Sequence, residues 1–219
     1  MARTVLAGLP SSVENQVSEG VAVLRKGGIV AFPTDTVYGL GACPYLHRAV
    51  ERVYAVKERP LGMALPLLLS STLQISEVAE PVPPVAWLLA EKFLPGALTL
   101  VLRKSSSVPE IVTAGGITVA VRVPAHPVPV ALALGLGSPV SGTSANLSGK
   151  PSALTAEEVH SQFGDKIDLV IDGGRCPGGR GSTIVDVTGE VPVVLREGVI
   201  DFGELKKVCG SIILGRGAK

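Results

Sequence analysis

Short aliphatic runs alternate with amphipathic stretches along nearly the whole sequence, and this alternation constrains the fold more than any other feature. Leu65–Leu69 is apolar throughout, which is typical of a strand covered on both faces. Residues 12–26 and 46–57 instead place apolar side chains at helical spacing. The pattern predicts an α/β fold.

The alternation predicts about eight strands and five or six helices. Strands are expected at residues 29–33, 65–69, 98–102, 117–123, 139–143, 168–172, 182–187 and 191–196. Helices are expected at 12–26, 46–57, 85–93, 127–134, 155–163 and from Asp201 to about Leu214. Capping boxes at Ser11–Glu14 and Thr155–Glu158 mark two of the helix starts. Because the link at 188–190 is short, some strand pairs must be antiparallel, so we expect a large, twisted, mixed sheet flanked by helices.

The composition narrows the class of protein. Hydrophobic residues make up 46% of the 219 residues and charged residues 18%, so the chain is globular rather than disordered. A net charge of +1 lacks the overall basic excess of a protein held mainly by nucleic-acid phosphates, although a local basic patch stays open. Without a repeat or linker, we predict one domain over residues 1–219, with a core at about 12–214 and a frayed tail at 215–219.

Several other classes find no support in the sequence. Cys43, Cys176 and Cys209 form no CxxC pair, so neither a disulfide framework nor a zinc site is indicated, and no metal-binding residue is predicted. His126 and the other two histidines are interpreted as surface or structural residues. No signal peptide is recognised, and no apolar run approaches the ~20 residues that span a bilayer. A cytoplasmic protein with no membrane contact is expected.

A polar stretch, Pro33–Gly41, directly follows the strand at 29–33. Hydroxyls at the end of a buried strand are well placed to hold a polar small molecule, and glycines let a backbone approach closely. The alternative is a strand, a turn and a second strand, with the threonines satisfied locally.

A glycine-rich segment, Gly173–Ser182, has a GxxxxG spacing that suggests a phosphate-binding loop. However, Arg180 stands where that motif requires lysine, and Gly181 stands where it requires Ser or Thr, so the match fails. The segment is interpreted as a loop that borders a ligand site or as a flexible connection.

Four positively charged side chains are candidates for binding an anionic ligand. Lys57 and Arg59 lie at a predicted helix end, where they would offset the helix dipole or clamp an anion. Arg122 lies within an apolar strand and Arg196 ends another, so each must reach solvent, an anionic ligand or a structural carboxylate. The segment Thr143–Gly149 offers further donors and acceptors, or forms an ordinary turn.

Seven segments together resemble the YrdC/TsaC family of L-threonylcarbamoyladenylate synthases. They are PTDTVYGLG (33–41), KERP (57–60), PGALTLVL (95–102), TVAVRVPAHP (118–127), TSANLSGKPS (143–152), GSTIVD (181–186) and LREG (195–198). The resemblance implies a YrdC-like fold around an open, concave, basic cavity. It also implies conversion of L-threonine, bicarbonate and ATP to threonylcarbamoyl-AMP and pyrophosphate, with Mg²⁺ expected beside the ATP. A tRNA-modifying transferase complex would then use the product, and weak tRNA binding stays open.

The resemblance assigns two groups of site residues. The ATP side would consist of Lys57, Arg59, Thr118, Ser144, Asn146, Ser152 and Arg196, with Lys57 and Arg59 as the catalytic cations. The threonine side would consist of Thr34, Thr36, Arg122, Gly142 and Ser182, with Tyr38 as a neighbour. Attack of a carbamate on the α-phosphate needs positioning and positive charge rather than an enzyme nucleophile, which agrees with these residue types.

The sequence departs from the family at Met63, Ala64 and Leu68, where polar residues or proline are usual. These departures bear on threonine affinity and on substrate identity. A long C-terminal extension is also missing, which indicates the short single-domain form. Two alternatives stay open: a module that makes carbamoyl-adenylate for hydrogenase maturation, and an RNA-binding module without catalysis.

Overall fold

The computed structural model describes residues 10–217, which form two β-sheets flanked by helices. The helices are α1 (Ser11–Arg25), α2 (His47–Lys57), α3 (Ile75–Val78), α4 (Pro84–Phe93), α5 (Pro127–Leu136), α6 (Ala156–Phe163) and α7 (Phe202–Cys209), with 3₁₀ turns at Thr72–Gln74 and Gly164–Lys166. The strands are β1 (Val30–Phe32), β2 (Gly39–Gly41), β3 (Leu67–Leu68), β4 (Leu98–Arg103), β5 (Thr118–Arg122), β6 (Val140–Ser141), β7 (Thr143–Ser144), β8 (Leu169–Val170), β9 (Thr183–Asp186), β10 (Val193–Arg196) and β11 (Ile213–Leu214). The predicted α/β class is confirmed.

The strands divide between a four-stranded sheet, in the order β7-β2-β1-β8, and a seven-stranded sheet, in the order β11-β10-β9-β4-β5-β3-β6. Both sheets mix parallel and antiparallel pairs, as predicted: β4 runs antiparallel to β5 and parallel to β9. The predicted strand at 139–143 is shared between the sheets, because Val140–Ser141 joins the large sheet and Thr143–Ser144 joins the small one. Gly142 therefore lies where the two sheets meet.

The large sheet has one packed face and one partly open face. Along β4, Leu98, Leu100 and Leu102 are fully buried in the main core. The alternate residue Val101 and its cross-strand partner Ala120 are only half-buried. Because successive strand residues point to opposite faces, the second face is accessible near β4, β5 and β9.

Helices cover the two faces unequally. Residues of α2, α4, α6 and α7 belong to the main core on the packed face. On the other face, α1 and α5 cover only the end near β3 and β6, where Leu68 and Val140 join a second apolar cluster with Leu132 of α5. The uncovered middle of this face adjoins the loop that follows β1.

Two predicted features are wrong. The closing helix ends at Cys209 rather than near Leu214, because Gly210 adopts a φ of 70° and the chain then forms β11, which pairs with β10. The first capping box is absent, since α1 starts after Pro10 without a side-chain cap. The second is present: the Thr155 hydroxyl accepts from the Glu158 amide at 3.3 Å.

Of the predicted tail at 215–219, residues 218 and 219 lie outside the described residues, as do residues 1–9. Within the described residues, none of the helices has the length and apolar character needed to cross a membrane.

Candidate active site

The loop after β1 carries two buried threonine hydroxyls that bond to each other and to the backbone. Thr34 Oγ1 donates to the Val37 carbonyl at 2.7 Å and accepts from the Thr36 amide at 3.1 Å. The two hydroxyl oxygens are 3.0 Å apart, and Thr36 Oγ1 also accepts from Arg122. The threonines are thus satisfied locally, as the structural alternative required, yet they also contact a buried cation.

Arg122 is the centre of this contact and is buried, with 7% of its surface exposed. Its Nε donates to the Gly96 carbonyl at 2.9 Å, Nη1 donates to Thr36 Oγ1 at 3.2 Å, and Nη2 donates to Asp35 Oδ1 at 2.7 Å. The carboxylate partner that the sequence left open is therefore Asp35. A guanidinium has five N–H donors, so two remain, one on each terminal nitrogen.

A second arginine lies close to the first. Arg196 donates from Nη2 and Nε to the Ser182 carbonyl, at 2.7 and 3.1 Å. The Ser182 hydroxyl in turn contacts Thr99 Oγ1 at 2.8 Å. Burial, and to a smaller degree repulsion from Arg122, lowers the pKa of Arg196. Two nearby arginines whose positive charges are not fully balanced by carboxylates favour the binding of an anionic ligand.

The glycine-rich segment borders the Pro33–Gly41 stretch. The Gly178 amide donates to the Thr36 carbonyl at 2.9 Å, and the Tyr38 hydroxyl donates to the Gly174 carbonyl at 2.9 Å. The Thr34 amide approaches Cys176 Sγ at 3.4 Å. The segment is therefore attached to the loop after β1 rather than being a free connection.

Lys57 joins the end of α2 to the segment that follows β7. Its Nζ donates to the carbonyls of Ser144 at 2.5 Å and Asn146 at 2.6 Å, and the residue is buried. Burial, with a smaller effect from Arg59, lowers the pKa of Lys57 to about 8. An ammonium group has three donors, so one N–H remains for a ligand.

The Thr143–Gly149 segment is held by its own side chains, as a turn would be. Ser144 Oγ donates to Asn146 Oδ1 at 2.5 Å, and Asn146 Nδ2 donates to the carbonyls of Leu147 and Lys150 at 2.8 and 2.9 Å. The Ala145 amide bonds to the Tyr38 carbonyl at 2.7 Å, which connects this turn to the loop after β1.

Arg59 is bound to backbone in this structure. Its Nε and Nη2 donate to the carbonyls of Met63 and Ala64, at 3.1 and 2.9 Å. The Tyr54 hydroxyl also donates to the Met63 carbonyl at 3.0 Å, so the turn that follows Pro60 is fixed by two side chains. Met63 itself is 50% exposed.

Leu68, which departs from the family pattern, is buried beside Arg122. The two are register partners in neighbouring strands, so their side chains lie on the same face of the sheet. A Cβ on Gly142 would lie 2.5 Å from Leu68 Cγ. Gly142 is therefore close-packed against an apolar side chain.

The structure thus joins most of the expected residues into three hydrogen-bonded groups. The first contains Thr34, Thr36 and Arg122, the second contains Ser182 and Arg196, and the third contains Lys57, Ser144 and Asn146. Thr118 and Ser152 are half-buried and belong to none of these groups within the described residues. Thr118 precedes Arg122 by four residues on β5, which places both on the partly open face.

Sequence reasoning missed one residue in each of the first two groups, Asp35 and Thr99. Asp35 stands between two threonines in the polar stretch, and that position is the signal that could have found it. Thr99 lies within an apolar run, where a single hydroxyl gives little signal. His126 has the structural role expected of it, since its Nδ1 accepts from the Val128 amide at 3.2 Å and begins α5.

Among residues 10–217, no group of three or more His, Cys, Asp or Glu side chains is placed to hold a metal ion.

The chain resembles known proteins over nearly its whole length. The sequence profile of the Sua5/YciO/YrdC family, described as telomere recombination, matches residues 22–198. A Pyrococcus abyssi protein named threonylcarbamoyl-AMP synthase is 41% identical over 95% of this chain. This chain spans only 62% of that relative's length.

Solved structures show the same fold. P. abyssi Sua5 complexed with L-threonine superposes with a TM-score of 0.88 at 42% identity, over 91% of this chain and 58% of that one. Full-length HypF, in a phosphate- and nucleotide-bound form, gives a TM-score of 0.74 at 18% identity over 84% of this chain and 29% of that one. An identity this low shows a shared fold alone.

Proposed function

The chain belongs to the Sua5/YciO/YrdC family, and we propose that it is a threonylcarbamoyl-AMP synthase. It joins L-threonine, bicarbonate and ATP into threonylcarbamoyl-AMP and releases pyrophosphate. The observation that carries the proposal is the buried Arg122, with two N–H donors left over and the hydroxyls of Thr36 and Ser182 nearby. The P. abyssi relative's name and the threonine bound to its structure support the same assignment.

Arg122 and the surrounding hydroxyls would hold threonine. The two free N–H groups of Arg122 match a carboxylate, which accepts paired hydrogen bonds from a guanidinium. Thr36 and Ser182 supply hydroxyls at fixed positions, because each is already bonded to the scaffold. Thr34 would complete the threonine side by supporting Thr36, and Gly142 would offer its backbone at the junction of the sheets.

The cations on the other side would hold ATP. Lys57 and Arg196 would offer their remaining N–H donors to the phosphates, while Arg59 would exchange its backbone contacts for a phosphate or shape the turn beside it. Further contacts would come from Thr118, Ser144, Asn146 and Ser152. Each cation stabilises negative charge that increases on the phosphates during transfer.

The chemical step follows from this placement. The threonine amine, once deprotonated, bonds to the carbon of bicarbonate, and water leaves to give N-carboxythreonine. A carbamate oxygen of N-carboxythreonine then attacks the α-phosphorus, a new P–O bond forms, and the bond to the β-phosphate oxygen breaks as pyrophosphate leaves. No enzyme nucleophile is required, because holding the two reactants in line supplies much of the rate acceleration. Mg²⁺ is proposed to enter with the triphosphate, since it commonly binds through substrate phosphates and water, and it would neutralise phosphate charge.

The product and its destination are part of the same proposal. A mixed carbamic–phosphoric anhydride is a reactive donor, so a transferase that modifies tRNA would consume it. A cytoplasmic location, and at most weak contact with tRNA, fit that role.

Pyrophosphate release from ATP tests this function. We would supply or omit L-threonine and bicarbonate, with the wild type, Arg59→Ala and the control Arg48→Ala, an exposed arginine of α2, the helix that ends two residues before Arg59. Release that requires both co-substrates, persists in Arg48→Ala and falls in Arg59→Ala is expected. Turnover that ignores threonine would contradict the proposal and indicate another acceptor.

Two alternatives predict different results. An RNA-binding module would bind tRNA with a strong salt dependence but release no pyrophosphate. A carbamoyl-adenylate-forming module would require carbamoyl phosphate instead of threonine and bicarbonate. Neither is favoured by a contact in the site.

A further inference from the structure

Asp35 is the acidic residue of the threonine side, and its place is fixed. It lies between Thr34 and Thr36, whose hydroxyls bond to each other. Its Oδ1 accepts from Arg122 Nη2 at 2.7 Å, with the two side chains 16% and 9% exposed. Asp35 is therefore held beside the cation that the proposed function assigns to the threonine carboxylate.

The other oxygen of Asp35 is available to a ligand. Oδ2 makes no hydrogen bond within residues 10–217, although no polar side-chain atom there is fully buried without a partner. Oδ2 is therefore accessible at the molecular surface. A free carboxylate oxygen in such a setting accepts charge-assisted hydrogen bonds, which are stronger than neutral ones.

Asp35 and Arg122 together present a matched pair of charges. Arg122 retains two N–H donors for an anion, and Asp35 retains one oxygen for a cation. A free α-amino acid at neutral pH carries a carboxylate and an ammonium group on the same carbon. Asp35 and Arg122 therefore hold a negative and a positive charge next to each other, as the binding of a zwitterion requires.

Resting on the proposed function, we propose that Asp35 Oδ2 accepts a hydrogen bond from the ammonium group of L-threonine while Arg122 binds the carboxylate. The contact concerns the binding of free threonine. The ammonium must lose its proton before its nitrogen bonds to carbon, and that later step is not assigned to Asp35. The site thus selects amino acids over hydroxy acids of the same shape.

The charged and titratable groups near Asp35 are consistent with a carboxylate that interacts through its negative charge. His126 lies close enough that Asp35 raises its pKa, although burial has the larger, opposite effect. Arg196 is the other cation whose field reaches Arg122. With Arg122 bonded to it and His126 within its field, Asp35 is the negative charge against which an ammonium group can be placed.

Calorimetric binding without ATP or bicarbonate tests the contact. We would titrate L-threonine and 2,3-dihydroxybutanoate, in which a hydroxyl replaces the ammonium group. The proteins would be wild type, Asp35→Asn and the control Asp165→Asn, an exposed aspartate of the Gly164–Lys166 turn. Wild type and the control should prefer threonine by about tenfold or more. Asp35→Asn should lose most of that preference, because the ammonium group no longer meets a negative charge, whereas a neutral hydroxyl can bond to either side chain.

Three results would overturn the proposal. A wild type that binds the two ligands equally, or neither at millimolar concentration, has no ammonium contact. A loss of affinity in Asp35→Asn by the same factor for both ligands would show that Asp35 only orients Arg122. The wild-type comparison also decides the matter if Asp35→Asn does not fold.

The test of the ammonium contact and the test of the synthase function can fail independently of each other. A protein that prefers the zwitterion but releases no pyrophosphate with bicarbonate present would refute the synthase assignment and leave the ammonium contact standing. A protein with full synthase activity but no preference for threonine over dihydroxybutanoate would support the synthase assignment and refute the ammonium contact.

Discussion

At the scale of single residues, Arg122 combines burial, a fork of donors and one carboxylate partner. Arg122→Lys keeps the charge but cannot reach the Gly96 carbonyl, Thr36 and Asp35 together, because lysine lacks a planar fork. We expect the KM for threonine to rise by about tenfold or more, with the KM for ATP nearly unchanged. Steady-state kinetics measures both constants.

Arg48→Lys is the matched control for that prediction, since Arg48 is an exposed arginine of α2. It should leave both constants unchanged. Equal increases in the two KM values for Arg122→Lys would contradict the assignment of Arg122 to threonine.

Lys57 gives a pH-dependent prediction. Burial lowers its pKa to about 8 in the folded protein, against 10.5 for an unperturbed lysine. Between these values the unfolded chain binds more protons, so the stability of the folded state rises with pH. Relative to Lys57→Met, the wild type should gain about 2 kcal/mol in free energy of unfolding between pH 8 and pH 10. Urea unfolding at each pH measures the difference, and a constant difference would contradict the lowered pKa.

Much of the site could be predicted from residue types, but its internal connections could not. The hydroxyls at strand ends and the arginines within apolar strands could be identified as candidate site residues, because buried polar groups need partners. The pairing of Arg122 with Asp35 joins residues far apart in the sequence, and no local pattern encodes it. The separate network around Lys57 likewise depends on how α2 meets the turn after β7.

At the scale of elements, the long, strongly periodic segments were predicted well, whereas the short strands β2 and β11 were not among the predicted strands. α1, α2, α4 and β4 carry enough residues for their period to show. β2 consists of Gly39–Gly41 and has no alternating pattern, and β11 was assigned to a helix because Ile213 and Leu214 continue an apolar series. Two- and three-residue strands form only because a neighbouring strand supplies partners.

The junction of the sheets gives a prediction at the same scale. A Cβ on Gly41 would overlap the Ser141 carbonyl oxygen and lie 2.8 Å from Val140 Cγ1. Gly41→Ala should therefore push β2 away from β6 and lower the free energy of unfolding by about 1–3 kcal/mol. Denaturant unfolding measures the loss. Gly62→Ala is the control, because its Cβ would have no atom within 4 Å, and an equal effect in the two variants would contradict the steric account.

At the scale of the whole molecule, the two sheets and the partly open face between them explain why the site is assembled from distant segments. The loop after β1 belongs to the small sheet, whereas Arg122, Ser182 and Arg196 belong to the large sheet or its edges. The division into two sheets was not predicted, because it depends on a change of partner at Gly142 within one short run.

Ligands that bind across this junction should stabilise both sheets together. With ATP and threonine each at about 100 times its dissociation constant, each adds about 2.7 kcal/mol of stability. For a chain of this length, each ligand should raise the Tm by about 5–10 °C. Thermal denaturation followed by circular dichroism measures the shift, and no shift with either ligand would contradict a site at this junction.

The central claim is that this chain joins threonine, bicarbonate and ATP, and the product itself tests it most directly. We would incubate the protein with ATP, L-threonine and ¹³C-bicarbonate and analyse the nucleotide products by mass spectrometry. The account predicts threonylcarbamoyl-AMP, heavier by one labelled carbon and absent when threonine is omitted. AMP without the label, or a labelled nucleotide that lacks threonine, would contradict it.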